Sequence, residues 1–179
     1  NALDGRMGNA SRPWDPSRAR HFLHWAEANY PRTIVAVELG NEPRAFGSGP
    51  PGVAKGKATD LKPEQLAADV AGPLRNILRG LGGHIALWGP DVDSPNDPDG
   101  FFRSFLAGLH VNKTELPPLL QAATYHQYYN QENTGLTTQS FTDVKVLDSI
   151  MKPLQHMVSI VKEISPASNV IMGETSSLA

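Results

Sequence analysis

Short apolar runs alternate with longer amphipathic segments along most of the chain. The short runs are rich in Val, Ile, Ala and aromatic residues, and they lie at residues 33–39, 84–88, 122–129 and 169–177. The longer segments between them repeat apolar residues every three or four positions, which is the spacing of one face of an α-helix. This regular alternation of strand and helix predicts βαβ units and therefore a parallel sheet.

The first helix is delimited by proline and by a capping residue. It is predicted to begin at Asp15-Pro16, because a capping aspartate precedes a proline suited to the first helical position. Pro31 ends it. Its predicted buried face consists of Ala19, Phe22, Leu23 and Ala26. A segment rich in Gly and Pro, residues 46–60, is predicted to be a long surface loop.

Three further helices are predicted between the later strands. One begins near Pro63 and is expected to kink at Pro73. Its predicted buried face consists of Leu66, Val70, Leu74, Ile77, Leu78 and Leu81. A short helix is predicted at 101–110 and a long one at 144–164, where Pro153 weakens the prediction of an unbroken helix.

Polar side chains follow each predicted strand at its carboxyl end. Along the chain these are Asn41 and Glu42, then Asp91, then His126 and Tyr128, and finally Glu174. In a barrel of parallel strands the carboxyl ends meet at one rim, where such enzymes hold their active sites. We therefore expect Glu42 and Glu174 to converge on that rim.

Two carboxyl groups in a polar cleft with aromatic neighbours point to glycoside hydrolysis. One carboxyl group protonates the departing oxygen, and the other attacks the anomeric carbon or activates a water molecule. The first needs a raised pKa while the second stays ionised, so their surroundings must differ. No strand is followed by the glycine pattern of a dinucleotide-binding turn. Asp91 and Asp93 lack the glycine and closing glutamate of a calcium loop, and neither a metal nor a cofactor is predicted.

Four motifs occur in order along the chain, and together they resemble a known family. They read ELGNEP at 38–43, GPDV at 89–92, TYHQYYN at 124–130 and GETSS at 173–177. In sequence and spacing they are similar to glycoside hydrolase family 79, the heparanase-like endo- and exo-β-glucuronidases. GNEP alone is shared by many retaining glycosidases with related barrels, whereas the four motifs together are highly specific. The resemblance extends from residue 1 to the last residue.

The resemblance implies a role for each of five residues. Glu42 is implied to be the acid/base and Glu174 the nucleophile of a double displacement with retention of configuration. Asn41 is implied to hold the 2-hydroxyl of the sugar, Tyr128 to hydrogen-bond the nucleophile, and His126 to lie near it on the same strand. The two carboxyl groups are then expected to lie ~5–5.5 Å apart.

Glu38 needs a separate explanation because it lies within the first predicted strand. If side-chain alternation continues to Glu42, Glu38 lies ~13 Å below the rim, by roughly 3.3 Å per residue. That depth places it too far down to touch the same substrate atom. We therefore predict that Glu38 lies inside the barrel and needs a hydrogen-bonded or charged partner there. Gly40 is expected to leave room for the sugar.

The loops near the predicted cleft indicate the type of substrate. The resemblance implies that family members which bind sulfated glycans have basic residues beside the cleft. In this chain the loop after GPDV reads DSPNDPDG, which contains acidic residues and no basic one. Acidic residues there repel a polysulfated chain. We therefore expect the substrate to be a glucuronide-containing glycan with little or no sulfate, or a small glucuronide.

Composition and charge limit the classes of partner that the protein can have. The chain is 40% hydrophobic and 19% charged with a formal net charge of −2, which is typical of a globular protein. The near-neutral charge and the lack of a basic run argue against nucleic acid as a partner. No apolar stretch approaches the ~20 residues of a membrane span. The resemblance implies a secreted, extracellular-matrix, lysosomal or vacuolar glycoprotein, and the glycosylation patterns at Asn9 and Asn112 favour this weakly.

The number of predicted strands suggests part of a barrel. A complete (β/α)8 barrel has eight strands and ~250 residues, whereas the pattern predicts four strands and the exit of a fifth. We therefore expect α/β architecture in which residues 1–179 form part of a single catalytic barrel, roughly from the exit of strand 3 through strand 7. The remaining barrel units and any accessory β domain would be missing, and the piece alone would be poorly soluble and inactive. Two alternatives are a catalytically inactive carbohydrate-binding remnant and another retaining barrel glycosidase.

Overall fold

A computed structural model describes six stretches of the chain. These are residues 4–6, 12–43, 61–92, 98–109, 118–128 and 142–175. The predicted loop at 46–60, the acceptor patterns at Asn9 and Asn112, and most of the loop that follows Val92 lie outside these residues.

Four parallel strands form one sheet in the order β1-β2-β3-β4. Their bounds are Ala36–Glu38 for β1, Ala86–Val92 for β2, Ala122–His126 for β3 and Asn169–Glu174 for β4. The predicted α/β class with a parallel sheet is therefore confirmed. Sequential order of parallel neighbours is also the order found in a (β/α)8 barrel.

Three strands differ in length from the prediction. β3 ends at His126 and not at residue 129. β1 is only three residues long, because the backbone turns at Gly40 and Glu42, which have φ values of 108° and 48°. β2 continues to Val92, beyond the predicted end at residue 88, so the Gly-Pro-Asp of the second motif belongs to the strand and not to a turn.

Helical segments connect the strands. The α-helices are α1 (Ser17–Asn29), α2 (Pro63–Asp69), α3 (Arg75–Gly80), α4 (Arg103–Gly108), α5 (Val144–Asp148) and α6 (Met151–Ile164). A 3-10 turn lies at Asp4–Arg6, and π-helical turns lie at Val70–Leu74 and Pro98–Phe102.

The predicted helix interruptions are found, although one lies at a different place. Pro73 lies inside the π-helical turn that separates α2 from α3, as expected of a residue that cannot donate a backbone hydrogen bond. The long predicted helix is divided into α5 and α6 at Ser149 and Ile150, before Pro153, which lies within the first turn of α6. Proline is tolerated there because the first amides of a helix have no partner in the helix.

The apolar core is formed by side chains of the strands and of the helices that connect them. All five residues of β3 are buried, which fits a strand covered on both faces. Helix α2 packs against α4, and α4 packs against α6. Phe105 and Leu106 of α4 are 0% exposed, and full burial of one such side chain stabilises the fold by about 1.5–3 kcal/mol.

The buried faces of the helices agree with prediction at most positions. Leu66, Val70, Leu74, Ile77 and Leu78 are buried as expected. Leu81 is only partly buried, because α3 ends at Gly80. On α1, Leu23 and Ala26 are buried, but the prediction for Phe22 is wrong because it is 56% exposed. No helix in the described stretches is both long enough and apolar enough to cross a membrane.

Candidate active site

The carboxyl ends of the four strands bring the predicted polar residues to one edge of the sheet. Glu42 follows β1, Asp91 lies next to the end of β2, and His126 ends β3. Tyr128 comes two residues after β3, and Glu174 is the last residue of β4. Side chains separated by up to 132 positions in sequence can therefore meet because the strands are parallel and adjacent.

Glu42 and Glu174 face each other across a short gap. One carboxylate oxygen of each, together with a ring nitrogen of His126, lies within 4.8 Å of the others. The Glu42 side chain is 16% exposed, whereas that of Glu174 is 46% exposed. The two carboxylates thus have different surroundings, and the more accessible one belongs to Glu174.

His126 lies between three carboxylates and is 1% exposed. Its Nδ1 is 2.9 Å from Glu42 Oε1 and 3.5 Å from Glu174 Oε2, and its Nε2 is 2.7 Å from Asp91 Oδ1. Burial lowers the pKa of His126, but hydrogen bonds to Asp91 and Glu42 and the charge of the carboxylates outweigh burial and raise it to about 9. At neutral pH the ring is therefore an imidazolium that donates from both nitrogens.

Tyr128 contacts the other carboxylate of the pair. Its hydroxyl donates a hydrogen bond to Glu174 Oε2. This hydrogen bond, followed by partial burial and the negative charges of Glu174 and Glu42, raises the pKa of Tyr128 to about 12. Tyr128 therefore stays protonated and supplies Glu174 with a permanent hydrogen-bond donor.

Asn41 is exposed and directly precedes Glu42. It lies at the same rim, in the turn that follows β1. With Asn41, all five residues predicted for the site lie at one edge of the sheet, and four of them, Glu42, His126, Tyr128 and Glu174, are joined by close contacts. Their catalytic and substrate-binding roles stay predictions.

The prediction for Glu38 is partly wrong. The turn at Gly40 breaks the alternation on which its ~13 Å depth rested. The residue as a whole is exposed, but partial burial of its carboxyl group raises the pKa of Glu38. A hydrogen bond from Thr124 lowers that pKa, and the negative charges of Asp91 and Glu174 raise it. Glu38 therefore has the hydrogen-bonded partner that was expected, and it belongs to the same electrostatic cluster as the rim residues.

Two residues of the site have backbone conformations that are unusual for side chains other than glycine. Glu42 has φ of 48° and Asp91 has φ of 58°. Such left-handed conformations cost about 1–3 kcal/mol each and persist where surrounding contacts hold them. Here the Glu42 amide donates to the Asp91 carbonyl over 2.9 Å, and the Asp91 amide donates to Thr124 Oγ1 over 3.0 Å.

Irregularities in the strand pairing adjoin His126 on both sides. Between β2 and β3 the register shifts between Pro90 and Val92, so Asp91 is the extra residue. Between β3 and β4 the register shifts at His126, so Gly173 is the extra residue. β-Bulges of this kind redirect side chains and are common beside active sites.

Asp91 is the site residue whose contacts sequence reasoning missed. The sequence pattern identifies it only as one of several polar residues at strand ends, in a spacing that does not fit a calcium loop. Its burial and its contact with His126 depend on the bulge, which local sequence does not reveal. The available signal was its position directly after Gly89-Pro90 at the carboxyl end of a buried strand.

The cluster is better suited to proton chemistry than to metal binding. Glu42, His126 and Glu174 are spaced closely enough to surround an ion. However, both ring nitrogens of His126 lie within hydrogen-bond distance of a carboxylate, and its pKa is raised. A metal would have to displace a tightly held proton, because only neutral imidazole binds metals.

The fold and the facing carboxylates define the class of protein. Parallel α/β sheets with a carboxylate pair at the carboxyl end are typical of barrel glycoside hydrolases. The family model described as glycosyl hydrolase family 79, N-terminal domain, matches residues 1–178. The chain therefore belongs to glycosyl hydrolase family 79, in agreement with the resemblance in its motifs.

Curated relatives and solved structures are consistent with this family. The chain is 28% identical to heparanase of Rattus norvegicus over 166 residues, which cover 92% of this chain and 28% of the relative. It is 29% identical to heparanase of Bos taurus over 167 residues, covering 92% of this chain and 27% of the relative. The chain thus spans less than a third of the length of these relatives.

Solved glycoside hydrolases share the fold at low sequence identity. A GH39 enzyme from Xanthomonas axonopodis pv. citri superposes with a TM-score of 0.57 at 16% identity, covering 93% of this chain and 31% of that one. Cel44A, a GH family 44 endoglucanase from Clostridium thermocellum, gives a TM-score of 0.63 at 11% identity, covering 88% and 40%. These likenesses establish the barrel type of the fold.

Proposed function

We propose that this chain forms part of a retaining glycoside hydrolase that cleaves β-glucuronide linkages by double displacement. Glu42 is the acid/base and Glu174 the nucleophile. The observation that supports this most strongly is the pair of facing carboxylates, whose oxygens lie within 4.8 Å of each other. Retaining enzymes hold their two carboxyl groups about 5–5.5 Å apart, whereas inverting enzymes leave about 6.5–9.5 Å for a water molecule.

The assignment of the two roles rests on the different neighbours of the carboxylates. Tyr128 donates a hydrogen bond to Glu174 and holds its carboxylate in place, and Glu174 is the more exposed of the two, as suits a nucleophile that must reach the anomeric carbon. Glu42 is paired with His126, a side chain that itself gains and loses a proton. The acid/base must give up a proton in one step and take one back in the next, and a neighbouring histidine can supply and accept that proton.

The proposed reaction has two steps. In the first, Glu42 gives its proton to the glycosidic oxygen while a Glu174 oxygen attacks the anomeric carbon, so the alcohol leaves and a glycosyl ester forms. In the second, Glu42 takes a proton from water, and the water oxygen displaces Glu174 from the anomeric carbon. Asn41 is proposed to bind the 2-hydroxyl of the sugar, while His126 and Tyr128 orient the two carboxylates.

The proposed substrate is a glucuronide-containing glycan with little or no sulfate, or a small glucuronide. Family membership and the similarity to proteins named heparanase support a glycan substrate. The acidic composition of residues 93–100 supports the low sulfate content, since like charges at a cleft oppose encounter. A secreted, lysosomal or vacuolar location belongs to the same proposal.

We also propose that residues 1–179 are one part of a larger single barrel. The described sheet has four strands, whereas a complete barrel has about eight. Large apolar side chains are exposed on and after α1, with Phe22 at 56%, Trp25 at 50% and Val35 at 70%. Further barrel units packing on this surface would remove it from water.

The proposal is tested by replacing each carboxylate in the full-length protein and measuring hydrolysis of aryl β-glucuronides. Glu42→Ala should lower kcat/KM by about 10²–10⁴-fold on a phenyl glucuronide, with a smaller loss on a dinitrophenyl glucuronide, whose leaving group needs little protonation. Glu174→Ala should abolish turnover of both substrates. Glu64→Gln, an exposed position on α2, is the matched control and should retain full activity.

Other outcomes would separate the alternatives. Tight glycan binding without turnover by the wild-type protein would identify an inactive binding module. Faster hydrolysis of β-xylosides or α-arabinofuranosides than of glucuronides would identify a different glycosidase. Faster cleavage of a polysulfated glycan than of an aryl glucuronide would contradict the proposed substrate.

A further inference from the structure

Asp91 contacts both His126 and Glu42, the proposed acid/base. Its carboxylate accepts from His126 Nε2 over 2.7 Å, and its carbonyl accepts from the Glu42 amide over 2.9 Å. The residue is 6% exposed, and its own amide donates to Thr124 Oγ1. One residue therefore fixes the backbone of Glu42 and the ring of the histidine that Glu42 contacts.

The surroundings of Asp91 are shaped to hold this arrangement. The bulge in β2 and the φ of 58° aim the Asp91 side chain at His126. On the other side, a Cβ on Gly173 would lie 3.3 Å from Asp91 Oδ1 and 3.7 Å from His126 Nε2. Glycine at the bulge of β4 thus leaves just enough room for the pair.

The hydrogen bond to Asp91 decides which ring nitrogen of His126 can exchange its proton. An ionised carboxylate is acceptor-only, so the nitrogen facing it keeps its hydrogen. Nε2 therefore stays protonated, and Nδ1, at 2.9 Å from Glu42 Oε1, is left as the nitrogen that releases and accepts a proton. Moving one proton from Nδ1 to Oε1 yields a neutral imidazole and a protonated Glu42, with no other bond changed.

We propose that Asp91 is a positioning residue that fixes the tautomer of His126, so that His126 exchanges a proton with Glu42 through Nδ1. This inference rests on the proposed function, because it assigns Asp91 a part in the acid/base step. It concerns a residue that does not touch the reacting atoms and acts through His126. The imidazole serves as a local store for the proton that Glu42 gives to the leaving group.

The groups that influence this proton come from every strand of the sheet. They are Glu38 of β1, Glu42 after it, Asp91 of β2, Tyr128 after β3 and Glu174 of β4. Four of these five are carboxylates, so removing one negative charge makes the shared proton easier to lose. Of the three carboxylates around the ring, Asp91 lies closest to it, at 2.7 Å, which makes it the most informative position to change.

The first test compares Asp91→Asn and Asp91→Ala in the full-length protein. Asn keeps an oxygen acceptor but not the charge, whereas Ala removes both. We expect Asp91→Asn to move the alkaline limb of kcat/KM to lower pH. It should also lower kcat/KM by about 10-fold on a phenyl glucuronide but by less than about 3-fold on a dinitrophenyl glucuronide. Both losses are smaller than the ~10²–10⁴-fold of a missing general acid, because Asp91 acts only through His126. Asp91→Ala should lower kcat/KM on the phenyl glucuronide more than Asp91→Asn does. Asp148→Asn, at an exposed position on α5, should have the kcat/KM and pH profile of wild type.

The second test does not depend on activity. Heteronuclear NMR of the imidazole nitrogens should show that Nε2 of His126 stays protonated while Nδ1 titrates. Titration at Nε2, or equal losses on both glucuronides with an unchanged pH profile, would overturn the role of Asp91. Absence of glucuronide hydrolysis by wild type would instead remove the proposed function, while the NMR result would still decide the tautomer.

Discussion

The buried imidazolium of His126 makes protein stability depend on pH in a defined direction. The pKa of His126 is about 9 in the folded protein against an ordinary value of 6.5 for histidine in water, so the folded state binds the proton more tightly. The resulting stabilisation is fully present below about pH 6.5 and is lost as the pH rises through about 9. One pKa unit corresponds to about 1.4 kcal/mol, so the difference between the two pKa values corresponds to a stabilisation of about 3 kcal/mol.

The measurement is chemical denaturation of the full-length protein at a series of pH values, for wild type and for His126→Gln. Because His126 is 1% exposed, solvent screens its interactions little. We expect the excess unfolding free energy of wild type over the variant to fall by about 3 kcal/mol across this pH range. His24→Gln, at an exposed position on α1, controls for general effects of replacing a histidine. Parallel curves for wild type and His126→Gln would refute the reasoning, because they would mean that the ring is not charged in the folded state.

Three substitutions probe the neighbours of this imidazolium. Thr124→Val removes the acceptor of the buried Asp91 amide and should cost about 1–3 kcal/mol of unfolding free energy, measured by denaturation; no measurable loss would contradict that contact. Gly173→Ala should lower both stability and kcat/KM because its Cβ lies 3.3 Å from Asp91 Oδ1, whereas the matched Gly72→Ala, with nothing within 4 Å, should do neither. Tyr128→Phe removes the donor to the proposed nucleophile and should lower kcat/KM by about 10–100-fold, from about 1.5–3 kcal/mol for a charged hydrogen bond; unchanged kinetics would show that this donor is dispensable.

The sheet could be predicted from sequence because buried parallel strands are continuous apolar runs. The four runs, their order and their parallel direction follow from local composition and from the helices between them. Burial on α1 was harder to predict. Periodicity places Phe22 beside Leu23 on the helix surface, but it does not say how wide a stripe has a neighbour to cover it, and the covered stripe includes Leu23 and not Phe22.

One part of the candidate site could likewise be predicted from sequence, and another part could not. Glu42, His126, Tyr128 and Glu174 could be grouped in advance because each follows a strand, and carboxyl ends of parallel strands share one edge. The place of Asp91 could not be predicted, since it depends on a left-handed backbone conformation and on a register shift between two strands. Both features are set by contacts between distant segments and not by local propensity.

A covalent sugar–enzyme ester is what the whole chemical proposal requires. Incubating the full-length protein with an activated 2-deoxy-2-fluoro β-glucuronide slows the second step and lets the ester accumulate, so that peptide mass spectrometry can locate it. We predict that the label is found on Glu174 and is absent from a Glu174→Gln variant. A label on a different residue, or rapid turnover of natural glucuronides by Glu174→Gln, would contradict the assignment of this carboxylate as the nucleophile.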